Sequence, residues 1–169
     1  MKEKRNMDVM PQERPAGRTP ADVRDRFYLQ EAIRKYHGTI VKTIGDAVMA
    51  VFSLVGDALA AVREMHQSLA AAMPMSEAKP RLLLKSSLHI GPCLAVNANE
   101  KLDFFGTTIN LAARMDGCCQ GGDLTVSDEL FQRPETAQFI LGLPHPPASS
   151  EVKFRGFESP HKVWRLQMV

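Results

Sequence analysis

Hydrophobic residues in the first half of the chain follow two different periods, which predict two helices separated by a β-hairpin. Apolar side chains recur at helical spacing over about residues 19–37 and again over 57–73. Between these segments, residues 39–44 and 47–53 form two apolar, β-branched runs that flank Gly45-Asp46. A Gly-Asp pair between such runs is typical of a hairpin turn. The chain is therefore expected to begin its fold as helix, strand, strand and helix.

The second half of the chain contains shorter segments that glycine and proline interrupt. After a linker over residues 74–80, the pattern predicts these elements in order: strands over 81–90 and 92–96, a helix over 107–119, a strand over 124–126, a short helix over 128–132, a loop over 144–150, and a final hairpin of 152–154 and 162–166. This order predicts an α+β fold with helices packed on a mostly antiparallel sheet. Residues 1–18 are polar and are expected to form a disordered or irregular leader before one domain over residues 19–169.

Composition excludes several functional classes. A net charge of +2 over 169 residues does not indicate a nucleic-acid-binding protein. The longest nearly unbroken apolar run, Ala47 to Val55, is about half the length of a membrane-spanning helix, so no membrane span is predicted. The three cysteines, Cys93, Cys118 and Cys119, show no metal-ligand spacing and fit a reducing compartment, which predicts a cytoplasmic protein.

Asp46 is the first candidate for chemistry, because the hairpin turn would present its carboxylate, with Lys42 four residues earlier on a strand. A carboxylate at a tight turn can bind a hard cation through oxygen. Alternatively, the aspartate can serve only its own turn by accepting backbone hydrogen bonds. The hairpin pattern alone is compatible with both roles.

Asn110 and Arg114 are the second candidate, because residues four apart share one face of a helix. An amide and a guanidinium beside a helix N-terminus suit a phosphate or a charged transition state. Such pairs also occur on solvated surfaces without any function. Asp103 precedes this helix, next to Phe104 and Phe105, whose rings are expected to wall a pocket.

Four segments taken together resemble the catalytic domain of class III nucleotide cyclases, in a bacterial branch of that family. They are residues 41–52, 89–93, 102–114 and 152–156, and the similarity extends from about Tyr28 to the C-terminus. The resemblance implies a ferredoxin-like, antiparallel-sheet core with packed helices. It also implies a head-to-tail dimer, either a homodimer or a heterodimer with a complete cyclase domain, with each active site between two protomers.

The resemblance further implies an adenylate cyclase, which converts ATP to 3′,5′-cyclic AMP and pyrophosphate by in-line attack of the ribose 3′-oxygen, with Mg²⁺ or Mn²⁺. It assigns these roles: Asp46 to metal binding, Lys42 and Asp103 to purine selection, Asn110 to ribose orientation, Arg114 to the transition state, and Arg155, or alternatively Lys153, to the terminal phosphates. Asp103 can accept from the adenine amine while Lys42 donates to N1. Guanine carries a proton on N1, so this N–H donor and the Lys42 ammonium donor would face each other without an acceptor, at a cost of about 1–3 kcal/mol.

One part of the family pattern has no match in this sequence. The family's first metal aspartate follows an apolar opening strand, and no such strand leads into Asp8, the residue at the corresponding distance from Asp46. No Gly-Phe-Thr phosphate loop follows Asp8 either. The chain is therefore expected to be N-terminally truncated and to lack the first strand. This leaves a second hypothesis, a catalytically inactive cyclase-like domain that binds nucleotide or regulates a partner protomer.

Overall fold

The computed structural model describes residues 20–72, 83–98 and 101–169. Its elements, in chain order, are α1 (Pro20–Lys35), β1 (Thr39–Ile44), β2 (Ala47–Val51), α2 (Val55–Ala72), β3 (Lys85–Leu88), β4 (Leu94–Ala98), β5 (Lys101–Phe105), α3 (Thr107–Met115) with a 3₁₀ turn over Asp116–Cys118, β6 (Asp123–Ser127), α4 (Asp128–Phe131), α5 (Pro134–Ile140), β7 (Ala148–Val152) and β8 (His161–Gln167). The predicted leader over residues 1–18 and the predicted linker over residues 74–80 lie outside the described residues.

The strands in the described part of the chain form three sheets, and antiparallel pairing predominates. β1 and β2 form one hairpin, and β4 and β5 form another. The third sheet has the order β3-β6-β8-β7, in which only the β3–β6 pair is parallel. Helices and mostly antiparallel strands together confirm the predicted α+β class.

One hydrophobic cluster holds α1, α2, the first hairpin and the four-stranded sheet together. Ala61 on α2, Leu124 on β6 and Leu166 on β8 are fully buried in it, and Ile40 and Phe52 pack against it. Each of the two buried leucine side chains contributes about 1.5–3 kcal/mol relative to exposure. The hairpin that carries Asp46 is therefore fixed by the main core of the domain.

A second, smaller cluster attaches α3 to the segment that follows β7. Leu111 and Met115 of α3 pack with Phe154 and with Val163 of β8. These contacts bury one face of α3 and direct its opposite face to solvent. The predicted site residues of α3 lie on that exposed face.

Several predicted elements were wrong in extent or partner. The strands expected over residues 81–90 and 92–96 are not neighbours: β3 covers only Lys85–Leu88 and pairs with β6, whereas β4 pairs with β5. Proline lacks the N–H that a strand ladder needs, so Pro92 lies in the irregular segment between β3 and β4. β5 and α5 were not predicted, and the helix expected to reach residue 119 ends at Met115. β7 begins inside the predicted loop over residues 144–150.

Among the described residues, no helix combines the length and the apolar character needed to cross a membrane.

His66 of α2 is a buried titratable group within the core. Its Nε2 lies 2.8 Å from the hydroxyl of Ser86, which itself donates to the backbone oxygen of Asp123 at 3.2 Å. Burial lowers the pKa of His66 from its ordinary value of 6.5 to about 4, although the Asp123 carboxylate acts in the opposite direction. His66 is therefore neutral in the folded protein at pH 7.

Lowering the pH from 7 to 5 is expected to destabilise the protein by about 2 kcal/mol through His66. The folded-state pKa lies below the unfolded value, so the stabilisation is present above pH 6.5 and is lost as the pH falls toward 4. Urea unfolding at both pH values checks this, with His66→Gln as the comparison because glutamine keeps a donor and does not titrate. Equal losses in the parent and the variant would contradict the assignment to His66.

Candidate functional site

The turn between β1 and β2 presents Asp46 to solvent. Gly45 has a φ of 62°, a left-handed conformation that glycine adopts readily, and Asp46 is exposed beside it. Arg26 of α1 donates from Nη2 to the carbonyl oxygen of Gly45 at 2.5 Å. The turn that carries the predicted metal ligand is thus tied to α1 as well as to the core.

The surroundings of Asp46 limit what this chain offers to a metal ion. Among the side chains that the structure describes, which do not include those of residues 20–25 and 97–103, no three of His, Cys, Asp or Glu converge closely enough to hold one. Asp46 can supply a single carboxylate to Mg²⁺ or Mn²⁺, which prefer oxygen ligands. The remaining ligands of a complete site would come from groups outside this set. Asp8 belongs to a segment that the structure does not describe.

The two residues predicted to select the purine lie on neighbouring strands. Lys42 is exposed on β1, next to a register shift between Ile40 and Lys42. Asp103 is on β5, where its backbone pairs with Val96 of β4. β1 and β5 lie against each other although they belong to different hairpins. The structure therefore brings the two strands together, while the Asp103 side chain is not described.

α3 begins directly after β5 and exposes Asn110 and Arg114. Its buried face consists of Thr108, Leu111 and Met115, and both candidate residues are solvent-exposed on the other side. The hydroxyl of Thr108 donates to the backbone oxygen of Pro92 at 2.5 Å, which fixes the start of the helix. The prediction that Asn110 and Arg114 lie on a helix is confirmed.

Arg114 contacts the turn that follows β7. Its guanidinium donates from Nη1 to the carbonyl oxygen of Arg155, and it lies 5.6 Å from the centroid of the Phe157 ring. Arg155, predicted to hold the terminal phosphates, is therefore next to Arg114 through its backbone. Lys153, the alternative, is also exposed on this segment. Asn110, Arg114 and Arg155 give one surface an amide and two guanidinium groups, a donor set suited to phosphate oxygens.

Three residues of this region were missed by reasoning from the sequence. Arg26 gave no signal, because its contact with Gly45 spans 19 residues and depends on how α1 packs. The sequence assigned no role to Gly156 or Phe157, although Gly156 lies in the segment 152–156 that resembles the family and glycine is common in turns. Gly156 has a φ of 83°, which confirms such a turn.

The chain is similar to known proteins over most of its length. The family model described as "Adenylate and Guanylate cyclase catalytic domain" matches residues 23–157. The chain is 24% identical over 104 residues to putative adenylate cyclase 3 of Rhizobium meliloti, and 28% identical over 140 residues to an adenylate cyclase of Mycosarcoma maydis. These matches cover 62% and 69% of this chain, but 17% and 5% of the relatives. The chain thus spans less than a fifth of the length of these relatives.

Solved structures share the fold. A structure of adenylate cyclases from Trypanosoma brucei in their monomeric state has a TM-score of 0.71 at 17% identity, over 88% of this chain and 79% of that chain. An adenylate/guanylate cyclase/hydrolase from Silicibacter pomeroyi has a TM-score of 0.67 at 26% identity, over 86% and 82%. The predicted fold class is confirmed by these similarities.

Proposed function

The chain belongs to the adenylate and guanylate cyclase catalytic domain family, and we propose that it acts as an adenylate cyclase that converts ATP to 3′,5′-cyclic AMP and pyrophosphate. The observation that carries this proposal is the exposed surface where Arg114 of α3 meets the turn bearing Arg155. The alternative, an inactive nucleotide-binding or regulatory partner, is not favoured by the comparisons, because the curated relatives are named adenylate cyclases.

Arg114 would act on the transition state. Ring closure requires the ribose 3′-oxygen to attack the α-phosphorus as pyrophosphate leaves, so negative charge builds on the α-phosphoryl oxygens. A guanidinium aimed at those oxygens lowers the barrier, because it interacts more strongly with the transition state than with bound ATP. Arg114 is exposed, so the nucleotide and a second protomer would have to exclude water from it.

Asn110 and Arg155 would hold the rest of the nucleotide. Asn110 lies one turn before Arg114 and can hydrogen-bond the ribose through its amide. Arg155 is exposed and can pair with the terminal phosphates, and Lys153 is the alternative for that role. Their closeness to Arg114 on one surface supports these assignments.

Lys42 and Asp103 would select adenine. The contact between β1 and β5 supports a joint role, because two strands that lie against each other can deliver both side chains to one base. An ammonium donor at N1 and a carboxylate acceptor at the 6-amine match adenine, whereas guanine has the opposite pattern at both positions.

A head-to-tail dimer would complete the site. Leu94 of β4 and Phe105 of β5 are cross-strand partners, and both are exposed, at 66% and 51%. Ile44 beside the first hairpin turn is also 65% exposed. An apolar surface of this kind suits a second protomer, either another copy or a complete cyclase domain. A complete domain would set its own pair of metal-binding aspartates opposite Asn110 and Arg114 of this chain.

The proposal is tested by mixing the purified chain with a complete class III catalytic domain in the presence of ATP and Mn²⁺. Cyclic AMP, identified by chromatography, is expected to form faster than the sum of the two separate rates. A rate equal to that sum would contradict a shared active site.

The chain on its own is expected to turn over ATP slowly, at least about 100-fold below the mixture, since a bound metal ion contributes several kcal/mol of charge stabilisation to the transition state. The reason is that Asp46 is the only matched residue of the family's metal-binding pair. The measurement is cyclic AMP formation by the isolated chain with Mg²⁺ and with Mn²⁺. A rate equal to that of the mixture would contradict this expectation, and Asp8→Ala would then test whether Asp8 is a ligand.

A further inference from the structure

The segment Phe154–Phe157 forms a tight turn whose geometry depends on glycine. The amide of Phe157 donates to the carbonyl oxygen of Phe154 at 3.1 Å, which closes a four-residue turn. Gly156, at the third position, has a φ of 83°. Arg155, at the second position, does not have a positive φ, so a positive φ at the third position identifies a type II turn. In this type the peptide between the second and third residues is reversed relative to a type I turn, so the carbonyl of Arg155 points to the opposite side.

The carbonyl of Arg155 is the group that receives Arg114. The guanidinium of Arg114 donates to it from Nη1 and lies 5.6 Å from the centroid of the Phe157 ring. A Cβ on Gly156 would stand 3.2 Å from Nη1 of Arg114, closer than ordinary contact. The turn thus gives the Arg114 guanidinium a hydrogen-bond acceptor, an aromatic ring beside it, and the space that a side chain at position 156 would occupy.

Phe157 is itself held in place. It packs against the small cluster formed by Leu111, Met115, Phe154 and Val163, and its ring meets His161 edge-on at 5.0 Å. Leu111 and Met115 belong to α3, the helix that carries Arg114. The ring that faces the guanidinium is therefore packed on the same helix, so the two cannot move far apart.

We propose that Gly156 and Phe157 are positioning residues for Arg114, which orient its guanidinium toward the α-phosphate of the nucleotide. The inference rests on the proposed function, in which Arg114 acts on the transition state. An exposed arginine has many rotamers, and only a few would meet the reacting oxygens. If the side chain is already held in one conformation, less conformational entropy is lost on reaching the transition state, and the activation free energy is lower. Neither residue is assigned a contact with the substrate.

Loss of this positioning is expected to lower kcat and leave KM for ATP nearly unchanged. Phe157→Leu removes the ring face but keeps an apolar side chain in the cluster, and we expect kcat to fall about tenfold. Phe157→Tyr keeps the ring and should restore kcat to within about twofold of the parent. Gly156→Ala disfavours the positive φ and turns the Arg155 carbonyl away, so a similar fall is expected.

The experiment measures kcat and KM in the mixture of the full chain with a complete class III domain. Matched controls are Phe27→Leu, on the exposed surface of α1, and Gly56→Ala, where an added Cβ meets nothing within 4 Å. Both controls should leave kcat and KM unchanged. If Arg114→Ala lowers kcat while Phe157→Leu and Gly156→Ala do not, the positioning role is overturned and the proposed function stands. If Arg114→Ala has no effect on kcat, both the positioning role and the proposed function of Arg114 are contradicted.

A second readout follows the side chain itself. In ¹⁵N relaxation measurements on the full chain, the Arg114 Nε–H group should be as ordered as the backbone of α3, and Phe157→Leu should make it clearly more mobile. Phe157→Tyr should leave it ordered. An Arg114 side chain that is mobile in the parent, or equally ordered in Phe157→Leu, overturns the inference whether or not cyclic AMP is formed.

Discussion

Replacing Arg114 with alanine is expected to lower kcat by about 10²–10³-fold, while KM for ATP changes by less than about tenfold. The guanidinium meets modest charge on the α-phosphate of bound ATP and more charge as the 3′-oxygen attacks. An interaction that strengthens only at the transition state raises kcat and contributes little to ground-state binding. Initial rates over a range of ATP concentrations, in the mixture with a complete cyclase domain, separate the two constants.

Two further variants make the Arg114 experiment specific. Asn110→Ala, on the same exposed face of α3, should lower kcat more mildly, because an amide that orients ribose carries no charge. Arg34→Ala removes an exposed arginine from the last turn of α1 and should leave both constants unchanged. If Arg114 belonged only to a solvated surface, its removal would change kcat by no more than a few-fold. That result would contradict the claim that Arg114 acts on the transition state.

The double replacement of Lys42 by glutamate and Asp103 by serine is expected to shift the ratio of kcat/KM for ATP to that for GTP about 10- to 100-fold toward GTP. The glutamate can accept from N1–H of guanine, and the serine hydroxyl can donate to its 6-oxygen. Each mismatched contact with adenine then costs about 1–3 kcal/mol. Competing ATP and GTP in one reaction gives the ratio directly.

The purine experiment also has a matched control. Lys85→Glu makes the same charge change at an exposed position on β3 and should leave the ratio unchanged. A ratio that stays constant in the Lys42/Asp103 double variant would contradict the assignment of these two residues to the base.

The sequence predicts best those elements that are determined by neighbouring residues along the chain. The first hairpin is confirmed because Gly45 has the backbone freedom that its turn needs and β-branched residues flank it. α5 begins at Pro134, a residue that favours the first turn of a helix, but its seven residues are too few to show a clear helical period. β5 could not be found in this way, because its pairing with β4 depends on a partner strand and not on its own short sequence.

The candidate site was predictable in part. The spacing of Asn110 and Arg114 was enough to place them together on a helix. The contact between Arg114 and Arg155 spans 41 residues and arises from the packing of α3 on the segment after β7, which no local pattern encodes. Resemblance to a family was needed to connect these residues, and the structure was needed to find Gly156 and Phe157.

The most direct test of the central claim, that this chain supplies the residues that act on ATP, uses a partner that cannot react alone. A complete class III domain keeps both metal aspartates, but its own transition-state arginine is replaced by alanine. Adding the present chain should produce cyclic AMP and pyrophosphate in equal amounts, and adding its Arg114→Ala variant should not. If the parent chain produces no cyclic AMP although a dimer forms, the claim is contradicted.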